Sequence, residues 1–400
     1  PVSGKRRLVQ DLRWINGHLP NVKFRMESLH TELGDVVQPG DELFTTDIAK
    51  AYYCLAMHPE AQQYLGWEWK GEFYMPTCLV FGLAPAPRIF TKIMRPMMAF
   101  FRSLGVRVLG MIDDYMWAAK PAEIAQLRVA VQTVLPLLGW SFNAKCEWTP
   151  SEEVLMLGML VNSKKFQVRA PEKKISNTVA GIHSILRKQS QEPKVPISLK
   201  EVQRVTGRLM SMMLALPGVR VFTRQLYQVI AKAEEENVVR RMQGKGPVYT
   251  VQLTAAAIED LNFWLSRVYS HNGMAINCRE NQVQVLLWTD ASDIGFGGEA
   301  AGVESHVTDA AVQQKIQSAD NAAPIEQMVY GVLPREEIAR SSSRRELVAL
   351  LQVASTPKIL QQIAGRRIRV IMDSVPALRN LIKGGGPVPE LSRAVREWFQ

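Results

Sequence analysis

The feature that most constrains this chain is a pair of adjacent acids set between two apolar runs, Val106 to Ile112, then Asp113-Asp114, then Tyr115 to Ala119. Runs of that kind predict a hairpin with the acids at its turn. Adjacent carboxylates repel, so a buried hairpin gains nothing from presenting two of them unless a cation sits between. A third acid, Asp47, closes the predicted strand Glu42 to Ile48. Converging carboxylate oxygens are what a hard divalent cation requires. Two such ions about 4 Å apart can activate a hydroxyl and stabilise a leaving pyrophosphate.

The rest of the chain bounds the classes that could carry such a site. It has 400 residues, 47% hydrophobic and 22% charged, which suits several folded domains and excludes wholesale disorder. The four cysteines are scattered, without metal-ligand or disulfide-framework spacing. No apolar run approaches the length of a membrane span. The net charge of +10 points to a polyanionic partner. Residues 1–170 carry 19 basic and 16 acidic groups, residues 171–280 carry 16 and 9, and residues 281–400 carry 13 of each. The excess is therefore concentrated in the middle, where amphipathic helices would grip a nucleic-acid backbone.

Further elements follow from pattern. Trp67-Glu68-Trp69 and Glu72-Phe73-Tyr74 flank Lys70-Gly71 as a hairpin. Helices are expected at 87–104 and 122–138, and a proline-bearing loop at 187–196. Ser198-x-x-Glu201 reads as a capping box opening a helix with Val202, Val205, Leu209 and Met212 on one face. That helix is broken at Pro217-Gly218 and followed by a helix through Val221 to Ile230 and another near 255–268. A strand at 283–289 leads to Asp290 and to a hairpin-like Gly295-Phe-Gly-Gly298. A helix from Ser343, a strand at 367–372 and a helix after Asp373-Ser374 complete an α/β layer pattern. Ser343-x-x-Glu346 is also a capping-box pattern, which competes with a ligand role for Glu346.

Between residues 5 and about 168 the motifs occur in one order. Arg7-x-x-x-Asp11-x-Arg13-x-x-Asn16, Thr46-Asp47-x-x-x-Ala51-Tyr52, Phe81-Gly82-Leu83, Met111-Ile112-Asp113-Asp114, Asn143-x-Lys145-Cys146 and Leu157-Gly158 succeed one another. In this the chain resembles the reverse transcriptases of retroelements, and among them the DIRS-type retrotransposons. The resemblance implies an α+β polymerase right hand of fingers, palm and thumb, followed by an α/β ribonuclease H-like domain. The implied boundaries are fingers and palm to 168, a helical thumb and connection over 169–280, and the nuclease-like domain over 281–400.

Roles implied by the resemblance fall on single residues. Asp47, Asp113 and Asp114 would hold two Mg²⁺ ions, with Mn²⁺ as substitute, and Lys145 would protonate the leaving pyrophosphate. Arg7, with Asp11 and Arg13, would serve the incoming deoxynucleoside triphosphate, Tyr52 beside Ala51 would gate its sugar, and Phe81 and Gly82 would line its pocket. Leu157 and Gly158 would form the primer grip. Met111 stands where the family has tyrosine, and the family's fingers lysine is expected before Pro1.

A second resemblance, to ribonuclease H, rests on Trp288-Thr289-Asp290, Arg345-Glu346-Leu347 and Met372-Asp373-Ser374. It implies a second metal site at Asp290, Glu346 and Asp373. No Asp follows Asp373 to serve as the family's fourth acid, so either the chain stops inside that domain or the nuclease is degenerate. The implied partners are an RNA template, a DNA primer, their hybrid duplex and dNTPs, within the cell and without a membrane. The competing reading is a non-catalytic scaffold that holds RNA, and a third is a nuclease whose polymerase half only binds hybrid.

Overall fold

The computed structural model describes residues 10–191, 196–276, 285–302, 328–363, 368–383 and 395–396. It divides into two compact units, Pro1–Arg169 with Ala275–Cys278, and Ala170–Met274 with Arg279–Gln400.

The first unit contains β1 (Glu42–Asp47), the hairpin β2 (Trp67–Trp69) and β3 (Glu72–Tyr74), and the hairpin β4 (Arg107–Met111) and β5 (Asp114–Ala119). Strands β6 (Glu147–Ser151), β7 (Glu153–Met156), β8 (Met159–Asn162) and β9 (Gln167–Arg169) follow. Its helices are α1 (Arg13–His18), α2 (Leu29–Val36), α3 (Pro59–Gln62), α4 (Ala86–Ser103) and α5 (Ile124–Leu137). A four-stranded sheet runs in the order β4-β5-β1-β6. The central strand β5 is buried along Tyr115–Ala119, which is why its sequence is a continuous apolar run and not an alternating one. Its Trp117 packs between Phe44 and Phe101 and donates its indole N–H to Thr46 Oγ1 at 3.0 Å. Helix α4 covers this core with Phe90, Met94, Met97, Met98 and Phe101.

Two devices fix the sheet, one at each end. Asp41 is fully buried, and Arg107 and Lys120 both pair with it. Burial opposes its ionisation, but Arg107, the Gln38 N–H and Lys120 outweigh burial and hold its pKa below the ordinary value. At the acid end, Gly110 is required in β4, because a Cβ there would collide with the Tyr115 ring paired opposite it.

The second unit opens with α6 (Glu172–Gln191), β10 (Ile197–Ser198), α7 (Leu199–Met210), α8 (Arg224–Met242), β11 (Thr250–Val251) and α9 (Ala255–Arg267). After β12 (Met274–Ala275) come β13 (Val285–Ala291), β14 (Gly295–Gly302), β15 (Val329–Val332) and β16 (Ile368–Ile371). The helices of this region are α10 (Arg335–Ile338), α11 (Ser342–Ser355), α12 (Pro357–Ile363) and α13 (Val375–Lys383). The sheet order is β15-β14-β13-β16, with β13 and β16 parallel and the other pairs antiparallel. Helix α11 packs on β13 and β14 with Leu347, Leu350 and Val353 buried. Gly298 permits that approach, since a Cβ would meet Trp288 O at 2.5 Å and Val353 at 2.8 Å. Arg396 lies over the Phe222 ring and pairs with the fully buried Asp260.

Several expectations need correction. Residues 187–191 are helical, not loop: they are the last turn of α6, made of good helix formers. Residues 192–195 lie outside the described residues. Neither capping box forms. Ser198 makes no cap hydrogen bond and sits in β10, while Glu201 is taken by Lys188 at 2.8 Å. Helix α11 starts one residue before Ser343, whose Oγ accepts from Ser374 at 3.1 Å. Strand β13 runs past Asp290 to Ala291, and the glycine-rich segment forms the second strand of a hairpin with it, as expected. Val221 and Phe222 precede α8, which begins at Arg224. Among the described residues no helix is long and apolar enough to cross a membrane.

Candidate active sites

In the first unit the antiparallel register sets Asp47 directly opposite Asp114, the last residue of β1 against the first of β5. Asp113 sits in the β4–β5 turn, and its carbonyl accepts from Ile48 N–H at 2.8 Å. The turn is tight enough to hold Ile112 at φ +57°, a left-handed conformation unusual for a β-branched residue. Asp114 has its pKa pushed up to about 6, first by burial and then by the charges of Asp113 and Asp47, with Lys145 opposing. An acid in that state gains from a divalent cation, which replaces mutual repulsion by shared coordination. The donor set is all oxygen, so a hard cation fits it.

A cleft of about 480 Å³ joins these groups, lined by Asp47, Asp114, Lys145, Glu147, Leu157 and Gly158. Lys145 reaches Asp47 at 3.9 Å and stays largely exposed, so it remains free to move. Leu157 and Gly158 form the β7–β8 turn with φ +50° and +75°. That geometry suits a two-residue hairpin, but Leu is costly where Gly or Asn is usual.

Tyr52 is buried in a short turn beside Ala51, with its ring 5.0 Å from Phe81 and 5.7 Å from Phe90. Its pKa is raised by burial and by the Asp113 charge. Phe81 is 43% exposed and packs against both Tyr52 and Tyr53. Gly82 needs its φ of +90°, and Asn16 clamps the following loop, donating to Gly82 O at 2.9 Å and accepting from Ala84 N–H at 2.8 Å. Asp11 and Arg13 pair with each other at the surface, which drops the Asp11 pKa to about 2. Arg7 lies outside the described residues.

Two partners of this site were not assigned roles from sequence. Asn16 is one, and its signal was its place in the first motif. Cys146 is the other. Its Sγ accepts from Asp47 N–H at 3.1 Å and faces Asp47 O at 3.4 Å. Burial, with the nearby Asp47 charge, pushes its thiol pKa up.

The second unit brings Asp290, Glu346 and Asp373 together. Among the described residues this is the trio whose ligand atoms all lie within 4.8 Å of one another, a spacing Asp47, Asp113 and Asp114 do not reach. The parallel pairing of Trp288 with Ile371 explains it, since Asp290 and Asp373 each lie two residues beyond that pair. Glu346 arrives from α11 and is 3% exposed. Its Oε1 accepts from Ala291 N–H at 3.1 Å, while Oε2 is buried without a hydrogen-bond partner. Burial drives its pKa up to about 7, with Asp373 and Asp290 adding to the effect and the Ala291 N–H opposing it. A buried orphan carboxylate oxygen among two more acids is a fit for a hard cation. Arg345 braces the neighbourhood, bonding Asp293 at 2.7 Å and Arg340 O at 2.6 Å.

No protein-family model matches the chain. It is 28% identical over 177 residues to the Gag-Pol polyprotein of gibbon ape leukemia virus, covering 41% of this chain and 10% of that protein. With the Gag-Pol polyprotein of avian reticuloendotheliosis virus it shares 27% identity over 237 residues, covering 56% and 19% respectively. Its fold matches a foamy viral protease-reverse transcriptase in complex with double-stranded DNA, with TM-score 0.56, 16% identity, and coverage of 98% of this chain and 60% of that one. A foamy viral protease-reverse transcriptase in complex with RNA/DNA hybrid matches at TM-score 0.55 and 15% identity, covering 98% and 47%. The chain thus spans a small part of the polyproteins it matches and about half of these solved chains. Its fold is polymerase-like α+β, similar to that of these solved chains, and its sequence is similar to part of retroviral Gag-Pol polyproteins.

Proposed function

We propose that the chain is the RNA-directed DNA polymerase of a DIRS-type retrotransposon, adding deoxynucleotides to a primer 3′ end. The carrying observation is the cleft in which Asp47 and Asp114 face each other beside Lys145, Leu157 and Gly158. Asp47, Asp113 and Asp114 would hold the cations, Mg²⁺ in this reading. Cations held there would supply Lewis-acid help to the primer hydroxyl and to the leaving pyrophosphate.

The chain's own residues do the rest. Lys145 donates a proton to the leaving group from its exposed position. The Tyr52 ring, fixed by Phe81 and Phe90, fills the space a ribose 2′-hydroxyl needs. Phe81 and Gly82 line the nucleotide pocket, Arg7 and Arg13 neutralise triphosphate charge, and the Leu157-Gly158 turn seats the primer. The domains in this reading are fingers and palm to 168, thumb and connection over 169–280, and a ribonuclease H-like domain over 281–400. The helices of 169–280 carry the basic excess that holds the RNA–DNA duplex.

The test is primer extension on an RNA template with dNTPs and Mg²⁺ or Mn²⁺, comparing the wild type with Asp113→Asn. Extension by the wild type alone is expected. Equal extension by both removes Asp113 from the site. Binding without extension by either points to the RNA-holding scaffold instead.

A second reading has its own observation, the orphan Glu346 Oε2 within the Asp290–Asp373 trio. We propose that this trio cuts the RNA strand of a hybrid. Cation-dependent RNA release that survives Asp113→Asn and disappears in Glu346→Gln is the expected result.

A further inference from the structure

We infer that Cys146 is a positioning residue for the Asp47 carboxylate, an inference that rests on the polymerase reading of that site. In a strand, alternate residues turn their backbone groups to opposite neighbours. Ile48 donates to Asp113 O on the β5 side, so the N–H and C=O of Asp47 face β6. The β1–β6 ladder stops short of them: the last paired residues are Thr45 and Glu147, and the register slips between Leu43 and Thr45. Beyond it an isolated Ile48–Phe142 bridge serves the Asp47 carbonyl, through Asn143, and leaves the Asp47 N–H to a side-chain acceptor.

Cys146 supplies what the ladder lacks. Its Sγ accepts from Asp47 N–H at 3.1 Å and its S–H donates to Asp47 O at 3.4 Å, while Asn143 N–H adds a bond to the same carbonyl at 2.8 Å. The Cys146 thiol and the Asn143 amide therefore hold both backbone groups of the residue that carries the first carboxylate. The neighbouring Lys145 is aimed at that carboxylate at 3.9 Å. One short loop thus orients the backbone of Asp47 and presents the cation that faces its side chain. Misplacing a reacting group by about 1 Å can cost on the order of 100-fold in rate.

The experiment compares the wild type with Cys146→Ala and Cys146→Ser in the full chain. Serine keeps a donor and an acceptor at the position, and alanine keeps neither. Two readouts are taken. One is hydrogen–deuterium exchange of a peptide covering residues 45–49, which requires no activity. The other is the single-turnover extension rate, with template-primer affinity measured beside it. Cys146→Ala is expected to expose the Asp47 amide to exchange and to slow extension about tenfold at unchanged template-primer affinity. Cys146→Ser is expected to restore most of both.

An Asp47 amide that stays protected in Cys146→Ala overturns the inference, as does a wild-type extension rate in that variant. Serine behaving like alanine in both readouts overturns it too. Should Cys146→Ala not fold, Cys146→Ser alone decides: near-normal rate and protection support the role, and loss of both rejects it. A wild type that protects Asp47 yet never extends a primer overturns the polymerase reading, and the catalytic meaning of the contact with it.

Discussion

Asp47 and Asp114 stand opposite each other in one antiparallel register, the last residue of β1 against the first of β5. A strand pair that ends on two carboxylates is electrostatically unfavourable, and burial, joined by the charges of Asp113 and Asp47, pushes the Asp114 pKa up to about 6. Asp114→Asn removes one of the charges. We expect it to stabilise the cation-free protein by about 1 kcal/mol, the two-unit shift discounted for partial exposure, and to abolish extension. Denaturant titration in EDTA, alongside primer extension, checks both halves. A less stable variant would mean that the acid is held by partners and not opposed by them.

Much of this arrangement was legible because it is local. Two apolar runs around Asp113-Asp114 specify a hairpin, and the strand before Asp47 announces itself by its apolar run. What pattern missed is long-range. The Asp47–Cys146 and Asn16–Gly82 contacts join residues 99 and 66 apart, and no local periodicity encodes them. Both capping boxes failed for a related reason. Glu201 has a tertiary partner in Lys188, and Glu346 is drawn to Ala291 and the two acids instead of to its own helix end. The left-handed Ile112 was equally hidden, since its residue type argues against the conformation that the turn imposes.

Leu157 occupies a left-handed backbone position in the β7–β8 turn, where asparagine is tolerated far better. Leu157→Asn is expected to raise stability by about 1 kcal/mol. If the side chain seats the primer, the same variant weakens template-primer binding or slows extension. Thermal melting and single-turnover kinetics separate the two effects. Gain of stability without loss of extension would leave the leucine as strain with no task in the cleft.

Asp41 governs the acid limit of the first unit. Its folded pKa lies below the ordinary Asp value of 3.8, so its contribution to stability is complete above that value and is lost as pH falls through the lower, folded one. Wild type should therefore lose stability more steeply than Asp41→Asn below about pH 4. Removing one partner at neutral pH is more damaging than acid, because it strands a buried charge. Arg107→Ala is expected to cost about 3 kcal/mol, with Lys120 left as the remaining cation. Denaturant unfolding at pH 3, 5 and 7 measures all three.

Glu346 ties the trio with Asp290 and Asp373 to the fold, and Gly298 controls how closely it can approach. Helix α11 lies so near β14 that a Cβ on Gly298 would strike Trp288 O and Val353. Gly298→Ala must move the strand or the helix, at about 1–3 kcal/mol for overpacking. Because Glu346 rides on α11 and Asp290 on β13, that displacement widens the trio itself. Mn²⁺ should therefore raise the melting midpoint of the wild type and do so less for Gly298→Ala. Glu346→Gln removes the burdened carboxylate instead, so it should stabilise the cation-free chain while losing part of the Mn²⁺ response. A Mn²⁺ response identical in all three proteins would mean that no ion binds at Asp290, Glu346 and Asp373.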